Sequence, residues 1–310
     1  MTPAPPGSRF GNRVTARRWA SLLRRLGHRV VITEEYGGEP CDALVALHAR
    51  RSAGSVRRFH RLHPERPLIL ALTGTDVYGD IHTSVTAQQS LQLATRIVVL
   101  QPAALEEVPR ALRRKCRVII QSARKPAGTV IPRTRTFDVV VLAHLRPVKD
   151  PFLTEVATRY LPASSRIAVL HYGGARNGGM AARARHASAT NARYAWRGEV
   201  PRWKALRALA RSRVLVLTSK LEGGANVVTE AIAASVPVIS TRISGSRGLL
   251  GKDYPGYFPV GDAGALRQLL LRAESDRRFY AMLKARVKRL APIVKPKREE
   301  QAWRALLAES

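Results

Sequence analysis

Two doubly wound α/β domains, each a parallel sheet covered by helices, are the architecture the sequence predicts. Three observations lead there. The chain has 310 residues, about twice a typical domain. Short β-branched runs recur between stretches of helical periodicity, the alternation that parallel sheets require. One stretch without periodicity, Arg124 to Thr136, contains Pro126, Gly128 and Pro132 and reads as a linker between the two series.

In the first series the predicted strands are His28 to Thr33, Ala43 to Leu47, Leu68 to Leu72, Arg96 to Leu100 and Val118 to Ile120. Ala16 to Leu26 places Trp19, Leu22, Leu23 and Leu26 at helical spacing, with Gly27 positioned to stop the helix. The loop Pro3 to Asn12 looks like the phosphate-side turn that follows the first strand of such a domain. Almost nothing precedes it, so one strand of the first sheet is expected to be missing. In the second series the strands are Phe137 to Leu142, Arg166 to His171, Tyr194 to Trp196, Arg213 to Leu217, Val236 to Ser240 and Tyr257 to Pro259. Beyond Asp262 the pattern is helical, broken at Pro292 and Pro296. The expected domains are therefore 1–133 and 137–291, with a helical tail, 292–310, crossing back to the first; Trp303 in that tail reads as a packing anchor.

Composition narrows the function classes. A hydrophobic share of 45% excludes a largely disordered chain. Apolar runs have strand length, and the N-terminus lacks a signal-peptide layout, so a cytoplasmic protein without integral membrane contact is expected. Cys41 and Cys116 are too few for a disulfide framework. The net charge of +31 comes from 53 Lys plus Arg, 43 of them Arg, against 22 Asp plus Glu. Nucleic acid is the obvious partner for such a charge. The arginines are, however, scattered over nearly every helical segment, aromatics make up only 6%, and no RRM, KH or zinc-finger signature occurs. Nucleic acid is therefore not expected as the main ligand; an anionic small substrate fits the charge equally well.

The strongest motif is Ser219-Lys220-Leu221-Glu222-Gly223-Gly224-Ala225-Asn226-Val227-Val228-Thr229-Glu230-Ala231, between a predicted strand and a predicted helix. A Gly-rich turn lets backbone N–H groups converge, and a helix beginning near Asn226 aims its positive end at the same point, so an anion belongs there. Glu222 would face sugar hydroxyls from the loop, and Glu230, farther into the helix, would reach a ribose. The bland alternative is a strand-turn-helix with two solvated Glu residues; the full spacing, followed by Ala-Ile-Ala-Ala and Pro237-Val238-Ile239, favours function. No Asp-x-Asp motif occurs and no His is grouped with carboxylates at ligand spacing, so neither a metal nor another cofactor is expected.

This segment, and the second domain as a whole, resembles the nucleotide-sugar domain of retaining-type family 4 glycosyltransferases of the GT-B fold. The resemblance implies that Glu222 and Glu230 bind the donor sugar and the ribose, with Gly223, Gly224, Ala225, Asn226 and Val227 lining the turn. In Ala143-His144-Leu145-Arg146-Pro147-Val148-Lys149, Lys149 matches the family's diphosphate-neutralising Lys. His144 stands where the family has Arg, so the second cation is either Arg146, displaced by two, or absent. Lys149, Glu222 and Arg146 form the implied catalytic set; Gly173, Arg197 and Gly198 resemble loops flanking the donor.

The first domain narrows the likeness. Thr2 to Ala16, Leu47-His48-Ala49-Arg50-Arg51-Ser52, Ala71-Leu72-Thr73-Gly74-Thr75-Asp76, Leu100-Gln101-Pro102 and Val141 to Pro151 are similar to the selenosugar synthases of selenoneine biosynthesis. That likeness implies a carbon–selenium bond formed between a UDP-sugar, UDP-glucose or UDP-N-acetylglucosamine, and selenophosphate, giving a 1-selenosugar after phosphate is lost. Selenophosphate is already anionic and needs no general base, which suits Thr73 where many relatives carry His. Its phosphate end calls for cations and N–H donors, for which Gly7, Arg9, Gly11, Asn12, Arg13, Arg50, Arg51, Gly74 and Thr75 are the candidates. Asp76 belongs to the same acceptor set, fixing the loop or one of those Arg residues, with a sugar contact as its lesser role; Arg50-Arg51 opens a helix, so at most one of the two need face the cleft. His48 and His171 end strands and are left outside catalysis, because an isolated His is more often structural. The rivals are a conventional family 4 enzyme with a hydroxyl or lipid acceptor, which needs a base, and a basic nucleic-acid-binding protein.

Overall fold

The computed structural model describes residues 1–8, 11–126, 128, 130–131 and 133–309. It divides into two compact units, one of Met1–Gln121 with Lys297–Ser310 and one of Ser122–Pro296; the linker thus belongs with the second unit. Among the described residues no helix is long and apolar enough to cross a membrane.

The first unit runs α1 (Gly11–Arg25), β1 (Leu44–Leu47), α2 (Ala53–Leu62), β2 (Leu68–Leu72), α3 (Asp80–Thr83), α4 (Val85–Leu93), β3 (Arg96–Val99) and β4 (Cys116–Val118). Its strands form a parallel sheet in the order β1-β2-β3-β4. All five residues of β2 are buried, and they alternate between two layers as strand geometry demands. Leu68, Leu70 and Leu72 pack with Phe59 and Leu91, whereas Ile69 and Ala71 pack with Trp19, Leu23 and Trp303. Both faces are therefore covered, the condition for an apolar parallel strand. Helix α1 stops at Gly27, which takes φ 97°. His28 N–H donates to Leu23 C=O and Gly27 N–H to Arg24 C=O, the paired bonds of a glycine C-cap.

The expected strand His28 to Thr33 does not form. A strand needs a run of paired backbone groups, and among the described residues the backbone contacts beside this run are isolated ones. Thr2 N–H donates to Thr33 C=O, Leu47 N–H donates to Met1 C=O, and the Met1 ammonium donates to Val45 C=O. Burial pushes that ammonium down to about 6.

The second unit runs β5 (Phe137–Leu142), α5 (Leu153–Thr158), β6 (Ile167–Tyr172), α6 (Gly178–Thr190), β7 (Tyr194–Trp196), α7 (Arg202–Arg211), β8 (Val214–Leu217), α8 (Asn226–Ala234), β9 (Val238–Thr241), α9 (Ser244–Leu250), β10 (Tyr257–Phe258), α10 (Ala263–Ser275) and α11 (Arg277–Arg289). The sheet is parallel throughout, in the order β10-β9-β8-β5-β6-β7. From β5 the chain winds outward through β6 and β7, then returns to the other side of β5 at β8. The order reverses there, and ligands of such sheets bind beyond the carboxyl ends of the strands flanking the reversal. The last helix, α12 (Pro296–Ala308), packs in the first unit. Trp303 is fully buried and meets Trp19 edge-on at 4.8 Å between ring centroids, while Trp19 Nε1–H donates to the buried Glu299 at 2.8 Å.

Candidate active site

The reversal in the second unit brings the two strongest motifs together. The segment after β5 carries Lys149 at the end of a short 3-10 turn, Pro147–Lys149, and the segment after β8 carries the paired-acid turn. They are tied by backbone contacts: Thr218 Oγ1 donates to Lys149 C=O at 2.7 Å, and Lys220 N–H donates to Val148 C=O at 2.8 Å. Across this seam Lys149 Nζ forms an ion pair with Glu222 Oε1, the oxygen that also accepts from Ser219 Oγ at 2.6 Å. Ser219 is held in turn by Thr241 Oγ1, which donates to its carbonyl at 2.6 Å. Lys149 and Glu222 lie 73 positions apart; the fold makes them neighbours.

Gly223 and Gly224 carry the chain to Ala225, which caps α8 without a side-chain hydrogen bond. The first N–H groups of α8 are thus left for another acceptor, the arrangement that makes helix N-termini bind anions. Asn226 Oδ1, in the first turn, is buried without a hydrogen-bond partner. Glu230, one turn beyond Asn226 and Val227, is buried and pairs with Arg202 Nη2 at 2.5 Å.

The turn is packed too closely for side chains behind it. A Cβ on Gly245 in α9 would lie 2.1 Å from Glu222 C=O. Gly245→Ala is therefore expected to cost about 1–3 kcal/mol and to weaken ligand binding at the turn. A thermal melt and a UDP titration check this; an unchanged melting temperature together with unchanged affinity contradicts it.

On the other side of Lys149, His144 Nδ1 accepts from Gly174 N–H at 3.1 Å. Burial lowers its pKa, partly opposed by Glu199, so His144 is neutral and adds no second positive charge. Arg146 is half-buried just before the 3-10 turn. Gly173 N–H donates to the carbonyl of Gly198, Arg197 N–H donates to His171 C=O, and a Cβ on Gly173 would lie 1.8 Å from Ala143 C=O. These residues thus form a second, backbone-built wall.

His171 braces that wall from below. It is fully buried; Nε2–H donates to Ala143 C=O at 2.9 Å, which leaves Nδ1 to accept from Tyr194 O–H at 2.7 Å. Burial holds its pKa down at about 4, against an ordinary value of 6.5. The neutral imidazole costs nothing above pH 6.5. Below it the unfolded chain takes up a proton that the folded chain refuses, so stability falls progressively to pH 4, by about 3 kcal/mol. Urea unfolding between pH 7 and pH 4 should show this loss, and His171→Gln should show a shallower one; parallel curves would contradict the assignment.

In the first unit the predicted residues separate into two groups. Gly7, at φ 77°, leads into α1, which starts at Gly11. Asn12 Oδ1 accepts from Thr73 Oγ1 at 2.8 Å, tying the helix start to the end of β2. Arg13 is 9% exposed, and its Nε and Nη1 are buried without hydrogen-bond partners. The second group surrounds Asp76, which is fully buried. Its Oδ1 accepts from Gly74 N–H at 2.8 Å and its Oδ2 from Ala49 N–H at 3.0 Å, joining the segments after β1 and β2. Thr75 opens the 3-10 turn Thr75–Val77 that contains Asp76; Arg9 lies outside the described residues.

Arg50 and Arg51 do not open a helix, because α2 begins only at Ala53. The chain turns first at His48, a non-glycine residue at φ 81°, while Ser52 Oγ donates to Leu47 C=O at 2.6 Å. Arg50 pairs with Asp80 through Nε at 2.9 Å, and Arg51 is exposed. His48 Nε2 lies 3.7 Å from Asp80, and burial keeps the imidazole neutral against the pull of Asp76. Asp80, Arg202, Ser219 and Gly245 were not predicted as site residues. Arg202 carries the nearest thing to a signal: a cation in the first turn of a helix opposes the helix dipole and calls for a carboxylate partner. Among the described residues no group of three or more His, Cys, Asp or Glu is placed to hold a metal ion.

Comparison with known proteins places this geometry. The family model for glycosyl transferases group 1 matches residues 129–290, more than half of the chain. The chain is similar in structure to HepE of Anabaena in complex with UDP and glucose, with 16% identity over 87% of this chain and 78% of that one and a TM-score of 0.69. Sucrose-phosphate synthase of Thermosynechococcus elongatus is similar at 15% identity over 96% and 78%, with a TM-score of 0.67. An alpha,alpha-trehalose-phosphate synthase (UDP-forming) of Burkholderia vietnamiensis is similar at 12% identity over 97% and 80%, with a TM-score of 0.68. At these identities the likeness bears on the fold, which is GT-B. No curated protein matches the chain. The two parallel sheets, the strand reversal and the family match over the second unit lead to one conclusion: the chain belongs to the glycosyl transferases group 1 family.

Proposed function

We propose that the protein is a metal-independent, UDP-sugar-dependent glycosyltransferase that forms a carbon–selenium bond with selenophosphate, the step that yields a 1-selenosugar for selenoneine. The observation that carries the donor half is the meeting of Lys149, Glu222 and the uncapped start of α8 at the strand reversal. The similar HepE structures contain UDP with glucose, or UDP-glucose, and the present arrangement supplies the charges such a donor requires. The N–H groups around Ala225 and Lys149 would take the diphosphate, Glu222 the sugar hydroxyls and Glu230 the ribose. As the C1–O bond breaks, its electron pair passes to UDP, and a nearby cation stabilises the departing charge most. Arg146 stands by as the second cation.

On the acceptor side the supporting observation is Arg13. A buried guanidinium with two unpartnered nitrogens, Nε and Nη1, is costly unless an anion completes it, and selenophosphate presents one. Gly7, Gly11 and Asn12 would shape that pocket, with Thr73, Gly74, Thr75 and Asp76 fixing its floor; Arg51 would be a further cation for it, and the sequence motif adds Arg9, which lies outside the described residues. The selenium attacks C1, UDP departs, and water then takes the phosphoryl group to release phosphate and the selenol.

A second reading has its own observation. His48 is a neutral imidazole near Asp80, a pairing that suits a general base and hence a hydroxyl acceptor. Incubation with UDP-glucose or UDP-N-acetylglucosamine and either selenophosphate or candidate alcohols, read by mass spectrometry, separates the two. A selenosugar supports the proposal; a glycoside with alcohols and none with selenophosphate overturns it. Since the charge stabilisation comes from Lys149 and helix N–H groups, EDTA should leave the rate unchanged. A large loss rescued by Mg²⁺ or Mn²⁺ would refute metal independence.

A further inference from the structure

Arg202 is the first residue of α7, where the helix dipole disfavours a cation. It is half-exposed, yet its guanidinium is not spent in water: Nη2 sits 2.5 Å from Oε1 of Glu230, whose side chain is 7% exposed. A buried carboxylate needs such a partner, and a guanidinium, planar and rigid, fixes the direction of a carboxylate better than an ammonium does. Glu230 lies in the middle of α8, which packs against α7. An ionised carboxylate offers about four lone-pair sites, so a carboxylate held by Arg202 can also accept from hydroxyls.

We propose that Arg202 is a positioning residue of the ribose subsite, holding the Glu230 carboxylate in the one orientation that accepts from both ribose hydroxyls and so setting a preference for ribonucleotide over 2′-deoxyribonucleotide donors. This rests on the reading of the second unit as a nucleotide-sugar site. The pair does more than balance charge. Without Arg202 the carboxylate loses the guanidinium that sets the direction of Oε1, and the penalty appears in ribose recognition rather than in transfer of the sugar.

The test is calorimetric titration of UDP and of 2′-deoxy-UDP into the wild type, Arg202→Ala, Arg202→Lys, Glu230→Gln and the double variant Arg202→Ala/Glu230→Gln, each checked for an intact fold by circular dichroism. The wild type should prefer UDP by about tenfold, the worth of one hydrogen bond to a charged group. Arg202→Ala should lower UDP affinity by about tenfold and bring the two nucleotides to within about threefold of each other, with kcat nearly unchanged at saturating donor. Arg202→Lys should recover most of the preference. In the Glu230→Gln background, Arg202→Ala should add no further loss, because a residue acting through Glu230 has nothing left to position. An unchanged UDP preference in Arg202→Ala, or a full loss persisting in the Glu230→Gln background, overturns the positioning role while leaving the donor site standing. A folded wild type that binds neither nucleotide overturns the donor-site reading instead.

Discussion

Lys149→Ala is expected to lower kcat/KM for the UDP-sugar by about 10²- to 10³-fold, and Glu230→Ala to weaken UDP binding by about tenfold or more. The two effects differ in kind. In the proposed donor site Lys149 lies beside the turn at which departing diphosphate would accumulate negative charge. Its positive charge is worth most in the transition state, so kcat should fall with kcat/KM. In the proposed donor site Glu230 holds the ribose, which does not react, so its removal should raise KM and leave kcat comparatively intact. Lys149 is paired with Glu222, so Lys149→Ala also leaves Glu222 with Ser219 as its hydroxyl donor. Glu222→Ala should therefore not rescue Lys149→Ala, as it would if the pair were only a structural clasp. Steady-state kinetics over both substrates, with UDP calorimetry, separates these patterns; equal changes in kcat and KM for every variant would contradict the division of roles.

Arg13→Met should raise KM for selenophosphate by about tenfold or more while leaving UDP affinity unchanged. The sign of its stability effect is equally informative. Arg13 is buried with two unpartnered nitrogens, a cost borne by the ligand-free protein. Replacing the guanidinium by a thioether of similar reach removes that cost and keeps the packing of the stem. The variant should be as stable as the wild type or more stable by about 1–3 kcal/mol, and selenophosphate should stabilise the wild type but not the variant. Chemical denaturation with and without selenophosphate checks both. A strongly destabilised variant would mean that Arg13 is structural, and an unchanged KM would move the acceptor elsewhere.

Much of the strand pattern is legible because apolar β-branched runs end abruptly at polar or glycine neighbours. Leu68–Leu72, Phe137–Leu142 and Tyr194–Trp196 carry the same limits in sequence and structure. His28 to Thr33 also carries a β-branched run, Val30 to Thr33, but forms no strand, since pairing depends on what lies alongside and not on the run itself. Helix α1 begins at Gly11, ahead of the apolar periodicity that starts at Ala16, because its first turn carries polar residues that propensity leaves undecided. In the site, the paired-acid turn is legible because its chemistry lies within one short segment. The partners of that turn are not. Arg202 finds Glu230 only after two helices pack, the constraint at Gly245 is a matter of space, and the backbone turn at His48 leaves no trace in composition. Asp76 was legible as a loop anchor, yet the N–H groups it holds, those of Ala49 and Gly74, come from separate strand ends.

The central claim is that a nucleoside diphosphate is gripped where Lys149, Glu222 and the start of α8 meet. A crystal structure with UDP tests it most directly. Diphosphate oxygens are expected within hydrogen-bond distance of Lys149 Nζ and the backbone N–H groups near Ala225, with ribose hydroxyls on Glu230. UDP bound elsewhere, or Lys149 still paired with Glu222 while the first turn of α8 contacts no phosphate, would contradict it.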